Sequence, residues 1–209
     1  MRLSVDPATG TVRLTIPKRA SERAALAWAA TQKRWIAAQR ARLPRPVPFA
    51  DGALLPLDDR DVRLTWRADA PRGPELVGDR LLVGGPEHAL ARRTERWLRE
   101  RALAVLRAET IEFAARAGVT VTGVAIGDPR GRWGSCSSDG AIRYSWRLIL
   151  APAHVRRATV AHEIAHRVHM NHSPAFHALV AAIADEDPQA ARAWLRRHGA
   201  RLHWFGREP

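Results

Sequence analysis

The chain has 209 residues, 46% of them hydrophobic, enough for one large or two small domains with a buried core. No apolar run approaches the roughly 18–20 residues of a membrane span, and the opening Met1–Asp6 lacks a signal peptide's apolar centre, so a soluble cytoplasmic protein is expected. The single cysteine, Cys136, excludes an internal disulfide framework and agrees with a reducing compartment; the net charge of +13 reads as arginine spread over solvated helix faces, with a nucleic-acid or acidic partner as the competing reading.

In chain order, Leu3–Asp6 and Thr11–Pro17 alternate apolar and polar residues around Pro7–Gly10, a hairpin pattern. Ser21 is placed to cap a helix reaching about Arg42, where Pro44, Pro46 and Pro48 break the chain. Leu54–Leu57, Val62–Trp66, Glu75–Val77 and Arg80–Val83 are short strand candidates. Residues 1–85 therefore read as a β-rich region with one helix, and Gly84-Gly85-Pro86 as a boundary. A long amphipathic helix over about Glu87–Ala117 follows, with Gly118 as its stop. Val119–Ile126 and Ala141–Trp146 read as strands either side of a Gly- and Ser-rich loop, and Arg147–Leu150 continues the second. Pro152 opens a helix to about Met170. Ser173-Pro174 and Asp187-Pro188 each restart a helix, the last ending at Gly199.

The chemistry concentrates in His162-Glu163-Ile164-Ala165-His166, an H-E-x-x-H pattern within the Pro152 helix. Positions i and i+4 share a helix face, so both imidazoles can meet one ion, and the adjacent carboxylate can take a proton from a water on it. The same five residues also arise by chance on alanine-rich helices. A catalytic zinc usually has three protein ligands, and His169, His172 and His177 are the candidates for the third. His169 lies too far up the helix. His172 is ranked first, because a turn at Asn171, left-handed where Asn is tolerated, swings it back towards the ion. His177 ranks second.

Arg132-Trp133-Gly134-Ser135-Cys136-Ser137, Trp146-Arg147-Leu148-Ile149, Ala151-Pro152, His162–His166 and Asn171-His172-Ser173 with Phe176, in that order, resemble the YgjP-like metallopeptidases. Val12–Pro17 and the helix with Trp35-Ile36 resemble that family's N-terminal region, so the resemblance covers nearly the whole chain. It implies an α+β fold. An N-terminal β-rich region (1–85) precedes a zincin-like domain (86–209) with a long helix, a small antiparallel sheet, the active-site helix and C-terminal helices. It also implies a Zn2+ hydrolase with His162, His166 and His172 as ligands and Glu163 as base. Two departures stand out: the family often has an aromatic residue at the position of His177 and Asn at that of Ser145.

Around this motif, Ala141–Trp146 can act as an edge strand holding an extended peptide, or as an ordinary core strand. Arg132 or Arg147 can stabilise an oxyanion, and Arg147 reads more readily as a brace. Cys136 reads as a packed residue rather than a fourth ligand, and His154, Arg156 and Arg157 as a solvated face. The leading expectation is a zinc metallopeptidase acting on peptides or proteins. Its alternatives are a metal-dependent nucleotide pyrophosphohydrolase, a DNA-associated protease similar to the SprT-like group, and a metal-binding scaffold without turnover. No nucleic-acid-binding motif supports the DNA reading, and nothing in the chain indicates a membrane partner.

Overall fold

The computed structural model describes residues 1–71 and 73–208. Strands β1 (Arg2–Val5) and β2 (Val12–Thr15) form the expected hairpin, pairing Leu3 with Leu14 and Val5 with Val12 on one face. Ser21 caps the following helix by accepting from the Ala24 N–H. That helix is two pieces, α1 (Glu22–Thr31) and α2 (Lys33–Ala41). Gln32 leaves helical geometry and its N–H turns back to the Ala29 carbonyl three residues earlier, which ends the first piece.

Strands β3 (Leu54–Leu57), β4 (Arg60–Arg67), β5 (Glu75–Val77) and β6 (Arg80–Gly84) build a four-stranded sheet in the order β3-β4-β6-β5, with β4 and β6 parallel. The turn between β3 and β4 holds Asp58 and Asp59 at positive φ. A 3-10 turn (Glu87–Ala89) leads into α3 (Leu90–Ala117), which buries Leu98, Ala102, Leu106 and Phe113 along one face, at helical spacing. Gly118 stops it at φ 65°, in the left-handed region that costs glycine nothing.

The second sheet comprises β7 (Gly123–Gly127), β8 (Gly134–Cys136) and β9 (Ala141–Ser145), in the order β7-β9-β8. It is mixed where an antiparallel sheet was expected: β9 runs parallel to β7 and antiparallel to β8. The loop after β7 carries the chain to the far edge, and the turn at Ser137–Gly140 then brings β9 back between the other two. Trp146–Leu150 does not continue β9. It winds into a fully buried 3-10 turn, with Ser145 Oγ accepting from the Arg147 N–H.

Three helices complete the chain: α4 (Ala153–Ala165), α5 (Pro174–Ile183) and α6 (Pro188–Leu202). Ser173 and Asp187 cap the last two through the Phe176 and Gln189 N–H groups. Asp59, from the β3–β4 turn, accepts from Ala153 N–H and so caps α4 from a distance in sequence. Gly199 does not end α6 but sits inside it, because a Cβ there would come within 2.8 Å of the Trp133 ring. One apolar cluster takes Leu55, Leu64 and Leu81 from the first sheet, Leu98 and Phe113 from α3, and Tyr144, Trp146 and Ile164 from the rest. No helix among the described residues is long and apolar enough to cross a membrane.

Candidate metal centre and active-site cleft

Helix α4 carries His162, Glu163 and, as its C-terminal cap, His166. It ends at Ala165, short of the expected Met170. The N–H groups of Val168 and His169 both turn onto the Ala165 carbonyl, so the chain reverses there, and Asn171 needs no left-handed conformation. The reversal returns His172. One ligand nitrogen from each of His162, His166 and His172 lies within 4.8 Å of the others. The Nε2 atoms of His162 and His172 are 3.2 Å apart. Two nitrogens at ~2.0–2.1 Å from a tetrahedral ion stand about 3.3 Å apart, so that pair has the spacing of two ligands to one metal ion, with the third nitrogen close by.

Their surroundings suit ligation. Burial, followed by the charges of His166 and Arg192, lowers both His162 and His172, His162 to about 3, so both are neutral at pH 7 with a lone pair to offer. His166 Nδ1 lies 3.0 Å from the His169 carbonyl, which can only accept. That nitrogen therefore carries the proton and Nε2 is left for an ion. His169 thus contributes its main chain rather than its ring. Phe176, fully buried, is the floor: its ring centroid is 4.9, 4.6 and 4.8 Å from those of His162, His166 and His172. Phe176 is named by the resemblance, in the first turn of a helix capped next to a ligand candidate, but its role as the floor under the imidazoles is not written in the local pattern. His177 lies at the rim, its ring 6.3 Å from that of His172.

Glu163 is 5% exposed, and burial pushes its carboxyl up to about 7 against the pull of Arg132. Its side chain runs against Gly134, where a Cβ would come within 2.6 Å of Glu163 Cγ. The glycine of β8 is therefore the space the carboxylate occupies. A cleft of about 400 Å³ opens over these groups, walled by Arg132, Trp133, His177, Val180 and Arg192.

The strand beside the centre is β8, whereas β9 is paired on both sides and is not an edge. Ser145 N–H donates to the Trp133 carbonyl (2.8 Å) and Ser137 N–H to that of Ala141 (2.9 Å). The intervening Gly134 and Cys136 thus point their main-chain groups away from β9, along the free edge. Arg147 is a brace: it donates to both Asp128 carboxylate oxygens and to the carbonyls of Leu202 and Phe205. Cys136 stands outside the histidine group, and burial pushes its thiol up, away from the thiolate a metal requires. Arg156 and Arg157 do not form a solvated face. Arg156 is buried against Glu109, and Arg157 pairs with Glu112 and Asp185.

Comparison with curated proteins and with solved structures found no match. A family model described as "YgjP-like, metallopeptidase domain" matches residues 1–198, spanning all three sheets, the histidine cluster and most of α6. With that match over nearly the whole length, the chain belongs to the YgjP-like metallopeptidase family.

Proposed function

We propose that this metallopeptidase uses zinc, that His162, His166 and His172 hold the ion, and that Glu163 is the general base. The observation that supports this reading most is the meeting of three imidazoles and one buried carboxyl, poised near neutral pH, in a single cleft. A zinc ion held by these three imidazoles would supply Lewis acidity towards the scissile carbonyl and the attacking water. Glu163 takes the proton as the water attacks and returns it to the leaving amine. Arg132, on the cleft wall, faces the developing oxyanion with positive charge. An extended peptide lies along β8 and bonds to the outward main-chain groups of Gly134 and Cys136.

The test is hydrolysis of an unfolded protein by wild type and by Glu163→Gln, with and without chelator. The expected result is chelator-sensitive cleavage by wild type and a 10²–10⁴-fold loss in the variant at unchanged metal content. Undiminished cleavage by Glu163→Gln removes it as the base. A second reading, phosphoanhydride hydrolysis of nucleotides, is favoured by one observation: Arg132 and Arg192 both line the cleft, and neither has an ion-pair partner among the described residues. Nucleoside triphosphates in the same assay separate the two.

A further inference from the structure

The positive charge is concentrated. Residues 1–46 hold ten Lys and Arg against two Asp and Glu, a net +8; the rest of the chain holds 24 against 19, a net +5. The two groups of cations also differ in what they do. Among the described residues, at least twelve of the 24 make side-chain hydrogen bonds or ion pairs, Arg147 and Arg156 among them. None of the ten makes any such bond among the described residues. Positive charge held together without a partner costs self-repulsion and draws polyanions to the surface that carries it.

The segment that carries these cations contributes little to the core. Helix α1 buries Ala25 alone and α2 buries nothing. Ala25, Trp28 and Ile36 are the more covered side chains of the two helices, whereas Arg23, Lys33, Arg34 and Arg40 are exposed, as are Lys18 and Arg19 just ahead. From Arg23 to Arg40 the two helices together measure at most roughly 25 Å at 1.5 Å per residue, and each piece alone reaches past more than one phosphate of a nucleic-acid strand. A helix lying in a membrane interface needs a free apolar face. Here only Leu26 (56% exposed) and Trp35 (38%) are open large apolar residues of α1 and α2. A phosphodiester backbone, which asks for charge and no insertion, fits better.

We propose that the exposed face of α1 and α2, with Lys18 and Arg19, binds nucleic acid through its backbone without sequence preference. The surface is independent of the histidine cluster, so it stands or falls apart from the peptidase chemistry.

The experiment is fluorescence anisotropy with the full chain, a single-stranded 30-mer, a 30-base-pair duplex and a structured RNA, from 50 to 300 mM salt. Wild type binds with log K falling linearly against log salt. The variant Lys33→Gln/Arg34→Gln/Arg40→Gln weakens binding roughly tenfold or more at 50 mM salt and lowers the slope by about 3. Lys18→Gln/Arg19→Gln, outside the helices and so without effect on folding, lowers it by about 2. A charge-matched control, Arg80→Gln/Arg92→Gln/Arg107→Gln, retains wild-type affinity within a few-fold. Equal weakening by the control, no binding by wild type at 50 mM salt, or the triple and double variants binding like wild type each overturn the proposal. So does tighter binding to phosphatidylserine vesicles than to any nucleic acid, with the same loss in those two variants.

Discussion

Arg156 of α4 and Glu109 of α3 form a buried pair, Arg156 Nε lying 3.0 and 3.1 Å from the two carboxylate oxygens. Burial nevertheless pushes the Glu109 carboxyl up, outweighing the bond and charge of Arg156. The pair therefore fixes how α4 sits on α3, with little net gain in stability. Glu109→Leu alone leaves a buried guanidinium unpaired and is expected to cost about 3–5 kcal/mol in denaturant unfolding. Glu109→Leu/Arg156→Met, apolar on both sides, is expected to recover most of that loss.

Gly134 and Glu163 share one space, so Gly134→Ala is expected to displace the carboxylate without unfolding the protein. Either the edge strand or Glu163 must shift by a few tenths of an ångström or more. A misplacement of about 1 Å can cost about a hundredfold in rate. Steady-state kinetics should show that loss in kcat, with metal content per chain unchanged.

Phe176 is the common neighbour of the three imidazoles. Its replacement by Ala removes a fully buried ring, an expected loss of about 3–5 kcal/mol in stability. Phe176→Leu keeps most of the volume but not the flat floor. It should fold, and should hold zinc about 10–100-fold more weakly in a competition titration with a chromophoric chelator.

Acid should destabilise the fold through its carboxylates. Burial raises Asp128, but Arg147 outweighs it and holds the carboxyl below the usual range; bonds from Arg157 hold Glu112 and Asp185 low. A depressed folded-state pKa contributes stability that is present above the unfolded value, near 4, and is lost as pH falls through the folded one. The thermal midpoint should therefore fall as pH drops below about 4. Arg147→Met should flatten that acid limb, since Asp128 then loses the partner that depresses it.

The parts of the fold legible in the sequence are those written in local chemistry. Ser21, Ser173 and Asp187 cap the helices they precede, and Gly118 stops α3. His162 and His166 share a helix face at i, i+4, and His172 joins them, though not by the left-handed turn at Asn171 that its spacing suggests. The features that could not be read depend on distant partners. No Gly or Pro marks the end of α4; the reversal is made by main-chain bonds onto Ala165 and by the His166 ring on a carbonyl. Trp146–Leu150 looks like a strand because burial on all sides leaves no polar alternation to betray a turn. Arg156 reads as a surface residue until α3 brings Glu109 to it, and Gly199 as a stop until Trp133 needs its missing Cβ.

The most direct test of the metal centre is elemental analysis of the untagged protein, purified without chelator, as wild type and as His172→Ala. One equivalent of zinc per chain in wild type, and well under one in the variant after dialysis, is the expected result. Wild-type protein that holds no divalent ion and takes none up, or a full equivalent retained by His172→Ala, contradicts the three-histidine site.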